Sequence, residues 1–269
     1  MNTTDFPLSQ YLDRIGLSTA PAPDEKGLAM IHAAQVCSIP FENIDIHLGL
    51  PISLKPNDLA AKLVRQHRGG YCFELNGIFH LALKALGFNV RPLLARALYG
   101  RPDPGARTHQ VLIVTIAGCD WLADAGFGGP GLRLPIPLAA EQIREQYGER
   151  YRLRNNPKYG WVLQKETMNA YMDLYAFEDS LTLDIDVEMA NHFTSTWPAS
   201  IFRLRRMCSL ARPWGRVTLA DMELTIHRDG KSLTQLLPPG PQYMAALAEH
   251  FGLDIKAVYE DFAPLRTSL

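Results

Sequence analysis

Cys72 stands in the stretch RGGYCFELN (residues 68–76), between a pair of glycines and the expected start of a helix. In the first turn of a helix, unpaired backbone N–H groups and the positive end of the helix dipole stabilise a thiolate. They lower the pKa of a cysteine, which is about 8.5 in a free side chain. Gly69 and Gly70 permit a tight turn and a close approach to the sulfur. A buried structural cysteine is the alternative, but this position favours a nucleophile.

A nucleophilic cysteine needs a base, and the base needs a group that orients it. Among the eight histidines, His109 stands out because it opens an apolar strand, HQVLIVTI, directly after a loop rich in Gly and Pro. Asp124 is the candidate orienting group. It is an acid in the otherwise apolar segment WLADAGF, where an unpaired charge would be costly.

The segment between these two residues predicts a hairpin with a two-residue turn at 117–118. In that register Asp124 lies opposite Val111. His109, two residues from Val111, is then on the same face of the sheet and diagonal to Asp124, within reach of its side chain. A three-residue turn would place the two side chains on opposite faces. A turn-capping role for Asp124 is the alternative.

Four glycines follow Asp124 in the segment AGFGGPG (residues 125–131). We expect their backbone N–H groups to be free to face an anion or a ligand carbonyl, with a flexible loop as the alternative. The spacing matches neither of the glycine motifs that bind nucleotides. Cys72, His109 and Asp124 are also possible metal ligands, but structural zinc sites have closely spaced ligand pairs and these residues form none. The sequence therefore predicts no metal.

Helical periodicity dominates the first third of the chain. Helices are expected over residues 8–17, 24–37, 57–66 and 72–88. After Gly87, short alternating segments separated by Gly, Pro and Asn predict an antiparallel sheet or small barrel. A connector from about residue 192, a hairpin over 217–237 and a final helix over 243–253 complete the chain. This order predicts an α+β protein in three packed parts.

Composition and charge argue against several kinds of partner. The chain is 47% hydrophobic and 20% charged, as in ordinary globular proteins. Its 27 basic and 28 acidic residues create no net field that would attract nucleic acid or an anionic membrane. We expect no secretory signal and no membrane span, since the longest apolar run (111–117) is too short. The four cysteines form neither close pairs nor a dense framework, which indicates a reduced, cytoplasmic setting.

Together, the segments RGGYCFELN, HQVLIV and DAGFGG, in this order and spacing, resemble the signatures of the arylamine N-acetyltransferases. IPFENIDIH (39–47) and TWPASIF (196–202) are similar to two further stretches of that family. The resemblance covers most of the chain and weakens after residue 202. It implies a Cys-His-Asp triad at Cys72, His109 and Asp124, similar to the core of cysteine proteases and transglutaminases.

The resemblance also implies an architecture, which agrees with the pattern of elements above. The fold is expected to be α+β, with an N-terminal helical bundle, a central antiparallel β-barrel and a C-terminal α/β lid. In this division residues 1–87 form the bundle that carries the nucleophile. Residues 88–191 form the barrel that carries the histidine and the aspartate, and residues 192–269 form a connector and the lid.

Further roles follow from the same resemblance. Phe127 is similar to the aromatic residue that contacts the acceptor ring in this family. The residues expected to approach CoA are Gly126, Phe127, Gly128 and Gly129. Tyr71 and Phe193 are candidates for the substrate pocket wall, with ordinary packing as the alternative. Glu42 is expected to pair with Arg68 and hold the turn before the nucleophile.

The activity implied is transfer of an acetyl group from acetyl-CoA to arylamines and arylhydrazines. Cys72 would attack the thioester after giving its proton to His109, and the amine would then attack the acetyl-cysteine in a ping-pong sequence. An amide synthase or hydrolase on the same scaffold is the alternative, although no helical insertion between the catalytic segments marks an amide synthase. A binding protein that has lost activity is a third hypothesis, and the complete triad argues against it.

Overall fold

The computed structural model describes residues 6–101, 104–168 and 170–265. Within these residues helices come first, then strands, then a mixed tail, as the sequence predicts. The helices are α1 (Leu8–Arg14), α2 (Glu25–Ser38), α3 (Ile44–His47), α4 (Pro56–Leu59), α5 (Cys72–Ala85), α6 (Asp184–Thr196), α7 (Ile201–Leu204) and α8 (Pro241–Phe251). A π-helical segment, Ala60–Arg65, continues α4, and a short 3₁₀ helix covers Tyr259–Asp261. Among the described residues, no helix has the length and apolar character needed to cross a membrane.

The strands form two antiparallel sheets. They are β1 (Phe41–Glu42), β2 (Asn89–Ala97), β3 (His109–Ile116), β4 (Cys119–Ala123), β5 (Ile136–Pro137), β6 (Arg144–Gln146), β7 (Glu149–Asn156), β8 (Gly160–Glu166), β9 (Tyr171–Phe177), β10 (Met207–Arg212), β11 (Gly215–Ala220), β12 (Glu223–Arg228) and β13 (Lys231–Leu236). The larger sheet has the order β5-β4-β3-β2-β9-β8-β7-β6, and the smaller has the order β1-β10-β11-β12-β13.

The larger sheet curls into a nearly closed barrel, and one buried side chain joins its two ends. Gln146, in the end strand β6, accepts hydrogen bonds at Oε1 from the backbone N–H groups of Arg133 (2.9 Å) and Leu134 (3.0 Å). Its Nε2 donates to the carbonyl of Leu134 at 2.8 Å. Residues 133–134 lie just before β5, the other end strand. An amide side chain thus supplies three hydrogen bonds at the seam, beside a backbone hydrogen bond from the Glu141 N–H to the Leu153 carbonyl at 2.7 Å.

The hairpin between β3 and β4 has the predicted register. Its last pair joins Leu112 to Ala123. The two turn residues, Ala117 and Gly118, have φ of 49° and 80°, as a two-residue turn of this kind requires. Asp124 follows directly after β4, so the predicted alignment with His109 is confirmed.

The smaller sheet joins two segments that are far apart in sequence, because β1 pairs with β10. The prediction of a single hairpin over 217–237 is wrong, since this region contributes three strands, β11, β12 and β13. A second tight turn forms at Asp229 and Gly230, which have φ of 49° and 74°. The predicted connector also starts too early, because residue 192 lies inside α6, whose Val187 and Ala190 pack on the core. The division of the chain into three parts by residue range remains a proposal.

Replacing Gln146 with leucine is expected to open the barrel seam. Leucine has a similar volume, but it leaves the N–H groups of Arg133 and Leu134 without an acceptor and the Leu134 carbonyl without its donor. This loss should lower the free energy of unfolding by roughly 2–4 kcal/mol. The matched control is Gln142→Leu at an exposed position nearby, which should change stability by less than about 0.5 kcal/mol. Urea denaturation of both variants measures the difference, and equal effects would contradict this role for Gln146.

Candidate active site

Cys72 is the first residue of α5, where the sequence places it, and it is buried. The preceding residue, Tyr71, is extended, and the Glu74 carboxylate accepts a hydrogen bond from its backbone N–H at 3.1 Å. This contact caps the start of the helix. The Cys72 Sγ lies 3.8 Å from the carbonyl oxygen of Thr108, in the residue just before β3.

A buried ionic network holds the turn before Cys72. Arg68 contacts Glu42 at 2.8 Å, as predicted, and also Asp45 at 2.6 Å. Lys62 bridges Asp45 at 2.6 Å and Glu74 at 2.7 Å. Burial works to raise the pKa of Asp45, but the two cations outweigh it and leave that pKa below its usual value. The network therefore connects β1, α3, the π-helical segment and α5 around the turn that precedes Cys72.

His109 and Asp124 form a buried pair beside this cysteine. His109 donates from Nε2 to Asp124 Oδ2 at 2.8 Å. The imidazole also interacts with the Cys72 sulfur. Because Nε2 faces the carboxylate, Nδ1 is the nitrogen left for the thiol. The structure thus brings together all three residues that the sequence proposed as a triad.

The charges in this pair support one another. Burial disfavours a charged imidazole, but the Asp124 carboxylate and the contact with Cys72 outweigh it and raise the pKa of His109 to about 10. Burial likewise works to raise the pKa of Asp124. The positive charge of His109 and the hydrogen bonds to the carboxylate outweigh burial and lower that pKa. At neutral pH the pair is an imidazolium and a carboxylate.

Asn76 completes the environment of the carboxylate, and the sequence analysis missed it. Its Nδ2 donates to Asp124 Oδ1 at 2.9 Å and to the carbonyl of Gln110 at 2.6 Å. Its Oδ1 accepts a hydrogen bond from the Ala125 N–H at 2.9 Å. The available signal was an amide four residues after Cys72, on the same face of an otherwise apolar helix.

His32, in α2, is a second residue that the sequence analysis missed. Its Nε2 accepts a hydrogen bond from the backbone N–H of Asp124 at 3.1 Å, and the side chain is fully buried. Nothing in the sequence marked it, because its local context resembles that of any histidine in an amphipathic helix.

The glycine loop differs from the expectation of free backbone N–H groups. Three of its four glycines donate to protein acceptors: Gly126 to Asp124 Oδ1 (2.9 Å), Gly129 to Ser209 Oγ (2.7 Å) and Gly131 to the Gly128 carbonyl (2.8 Å). The expectation was therefore wrong for these three. Because the loop is partly buried, its backbone N–H groups need hydrogen-bond acceptors within the protein.

Gly126 has a packing role that the sequence did not reveal. A Cβ at this position would lie 2.9 Å from the carbonyl oxygen of Cys72 and 2.7 Å from Asn76 Nδ2. Only glycine lets the loop pass this close to the start of α5. The close approach brings the Gly126 N–H to the Asp124 carboxylate.

Phe127 lies against the imidazole, whereas the two proposed wall residues do not. The Phe127 ring meets the His109 ring edge-on, with centroids 5.2 Å apart. Tyr71 is 0% exposed and its hydroxyl donates to the carbonyl of Asn191 on α6, which agrees with the packing alternative, while its place in the pocket wall stays a prediction. Phe193 is 42% exposed on α6 and stacks on Trp197 with centroids 5.5 Å apart.

A small cavity of about 30 Å³ lies between the glycine loop and the smaller sheet. Phe127, Gly128 and Gly129 line it on the loop side, and Ser209 and Arg216 line it on the sheet side. Arg216 is almost fully buried and pairs with the Glu149 carboxylate at 2.5 Å, and Asp124 also borders the cavity, so the lining holds charges of both signs. Within the described ranges, no group of three or more His, Cys, Asp or Glu side chains is placed to hold a metal ion.

An α+β fold that buries a Cys-His-Asp cluster at a helix start has the arrangement of enzymes with a cysteine nucleophile. The family model described as N-acetyltransferase matches residues 26–259. An arylamine N-acetyltransferase / N-hydroxyarylamine O-acetyltransferase of Salmonella typhimurium is 35% identical, over 95% of this chain and 92% of that protein. The arylamine N-acetyltransferase of Mycolicibacterium smegmatis is 37% identical, over 92% of each chain.

Comparison with solved structures points to the same family. The Salmonella typhimurium arylamine N-acetyltransferase superposes with a TM-score of 0.89 at 34% identity, covering 94% of this chain and 95% of that one. The Mycobacterium marinum enzyme, solved in complex with CoA, has a TM-score of 0.86 at 34% identity, covering 91% and 92%. The chain belongs to the arylamine N-acetyltransferase family.

Gly126→Ala is expected to push the glycine loop away from Cys72. Because the new methyl meets backbone that cannot yield, alkylation of Cys72 by iodoacetamide at neutral pH should slow by about tenfold or more. The matched control is Gly77→Ala in α5, where the new methyl meets only the flexible Leu59 side chain at 3.2 Å. Peptide mapping after timed labelling measures both rates. Unchanged labelling in Gly126→Ala would refute the packing argument.

Asp124→Asn should remove a pH-dependent part of the stability. Folding raises the pKa of His109 from about 6.5 in the unfolded chain to about 10. The charged His109 therefore stabilises the folded protein fully below about pH 6.5, and this contribution is lost as the pH rises through about 10. The difference in unfolding free energy between wild type and variant should therefore be largest near pH 6 and shrink towards about pH 10.

The control for this experiment is Asp120→Asn in the neighbouring strand β4. Asp120 pairs with Arg91 at 2.9 Å, and the hydrogen bond from that guanidinium lowers the pKa of Asp120. Since arginine stays charged over this range, the loss from Asp120→Asn should not vary between about pH 6 and 10. Denaturant titrations of wild type and both variants at about pH 6 and about pH 10 measure these losses. A pH-independent loss in Asp124→Asn would contradict the charged state assigned to His109.

Proposed function

We propose that the protein transfers an acetyl group from acetyl-CoA to the nitrogen of arylamines and arylhydrazines, by a ping-pong mechanism through an acetyl-Cys72 intermediate. The observation that carries the proposal is the buried His109, held by Asp124 on one ring nitrogen and facing Cys72 with the other. Its raised pKa means that the imidazole holds the proton that the Cys72 thiol gives up. The names of the relatives supply the substrate class, and the CoA complex of a relative supports the donor.

In the first half-reaction the Cys72 proton rests on His109, and the thiolate attacks the acetyl carbonyl of the thioester. The tetrahedral intermediate carries its negative charge on oxygen. The unpaired N–H groups in the first turn of α5 are placed to stabilise it. When the C–S bond to CoA breaks, the imidazolium returns its proton to the leaving thiolate, and the acetyl group remains on Cys72.

In the second half-reaction the amine nitrogen attacks the acetyl-cysteine. His109, neutral after the first step, takes the proton that the amine loses and returns it to the departing Cys72 sulfur. Asp124 keeps the ring oriented and stabilises its charge in both directions. An amide leaves, and the free enzyme is restored.

The ligand contacts are also proposals. We infer that the Phe127 ring contacts the acceptor ring, since it lies beside the imidazole that must receive the amine proton. Gly128 and Gly129 are proposed to approach CoA, since they line the cavity that Arg216 also borders. Gly126 is proposed to act through close packing on Cys72. Phe193 remains a predicted wall residue at the outer surface of α6.

We also infer a cytoplasmic location. The four cysteines are free thiols. Oxidising compartments favour disulfides, whereas the cytosol keeps thiols reduced.

The deciding experiment uses acetyl-CoA and enzyme without an acceptor. Intact-protein mass spectrometry should show one acetyl group on the wild type, and peptide mapping should place it on Cys72, because water is poorly positioned to replace the amine. Cys72→Ser, the matched control, should remain unacetylated, since a hydroxyl ionises far less than a thiol.

Addition of an arylamine or arylhydrazine should then discharge the adduct. Initial rates should give parallel double-reciprocal lines when donor and acceptor are varied. If no adduct forms, the acetyltransferase proposal is wrong. If an adduct forms but water discharges it as fast as any amine, the proposal is also wrong and a hydrolase is favoured.

A further inference from the structure

His32 links the two parts of the molecule that carry the triad. It lies in α2 and is 0% exposed. Its Nε2 accepts the hydrogen bond from the Asp124 N–H at 3.1 Å. Its ring also meets the Phe79 ring of α5 edge-on, with centroids 5.5 Å apart. One imidazole therefore touches both the helix that begins at Cys72 and the backbone that carries the aspartate.

The sheet does not fix the backbone at Asp124. The β3–β4 ladder ends with the pair of Leu112 and Ala123, one residue earlier. Beyond this point the Asp124 N–H has left the strand pairing, and His32 is its acceptor. A buried N–H needs such a partner, and the partner determines where the backbone sits.

This contact requires one particular form of His32. To accept a hydrogen bond, Nε2 must carry no proton, so the proton is on Nδ1 and the ring is neutral. Two groups outside α2 face the ring, the Asp124 carboxylate and the backbone carbonyl of Arg133 at the far end of the glycine loop. Both favour the charged ring, but burial outweighs them and lowers the pKa of His32.

We propose that His32 is a positioning residue, which fixes the main chain of Asp124 so that its carboxylate meets Nε2 of His109. Asn76 and Gly126 hold the carboxylate oxygens, whereas His32 holds the backbone from which the carboxylate extends. The role in acetyl transfer rests on the proposed function. The effect on the Cys72–His109 pair does not, and can be measured without any acetyl donor.

The test compares His32→Gln with His32→Met. The two side chains have nearly the same shape, but only glutamine offers an oxygen to the Asp124 N–H. The control is Gln35→Met, which replaces another buried hydrogen-bonding side chain by methionine one turn further along α2. Gln35 is also fully buried and binds Tyr11 and the Leu75 carbonyl, away from the carboxylate.

The primary readout is the rate of Cys72 alkylation by iodoacetamide as a function of pH, followed by peptide mapping. In His32→Met the midpoint should move up by about one pH unit or more, because a displaced carboxylate stabilises the imidazolium less. Cys72 acetylation should fall by about tenfold or more. His32→Gln should restore most of both, and Gln35→Met should lose stability without moving the midpoint.

Three results would overturn the proposal: a folded His32→Met protein with an unchanged midpoint, equal shifts in the Gln and Met variants, or an equal shift in Gln35→Met. If acetylation is absent in every protein, including wild type, the proposed function fails while the alkylation midpoints still decide the role of His32. If the His32 variants do not fold, nitrogen NMR of the wild type decides it. The proposal requires Nε2 of His32 to be unprotonated across the pH range in which Cys72 reacts, and a proton on Nε2 refutes it.

Discussion

The Asp124 carboxylate is the constraint on which the site depends. It is fully buried, where an isolated charge would be strongly disfavoured. Three donors reach its two oxygens: His109 at Oδ2, and Asn76 and the Gly126 N–H at Oδ1. Since each donor comes from a different part of the chain, the carboxylate is tolerated only when α5, β3 and the glycine loop all meet around it. The helical bundle and the barrel must therefore be docked before the charged pair can exist.

Those parts of the site that depend on neighbouring residues in the sequence could be predicted, whereas contacts between distant residues could not. The hairpin that aligns His109 with Asp124 was predictable, because a two-residue turn sets its register within 15 residues. The start of α5 was predictable from its glycines and its apolar periodicity. His32 and Asn76 were not, since they lie 92 and 48 residues from Asp124 and their contacts arise only when separate elements pack.

Tyr71 and the glycine loop show what the local pattern leaves out. Tyr71 stands beside the nucleophile in sequence, which favoured a place in the pocket wall. Its side chain is fully buried, and its hydroxyl binds Asn191, 120 residues later. Of the three glycine N–H groups that find protein acceptors, only that of Gly129 reaches a distant residue, Ser209, 80 residues later in the other sheet, whereas Gly126 and Gly131 bind within the loop region itself. Local pattern thus identified the reacting groups, and tertiary packing decided which neighbours support them.

The two buried ionic clusters around Cys72 have different tasks. The cluster before the nucleophile contains three carboxylates, Glu42, Asp45 and Glu74, against two cations, Lys62 and Arg68. With all five groups charged it carries a net negative charge and cannot favour a thiolate. It fixes the turn, and through the Glu74 contact to the Tyr71 N–H it fixes the helix start. Stabilisation of the thiolate must then come from the imidazolium and from the first-turn N–H groups, which makes the alignment of His109 by Asp124 the step on which nucleophilicity depends.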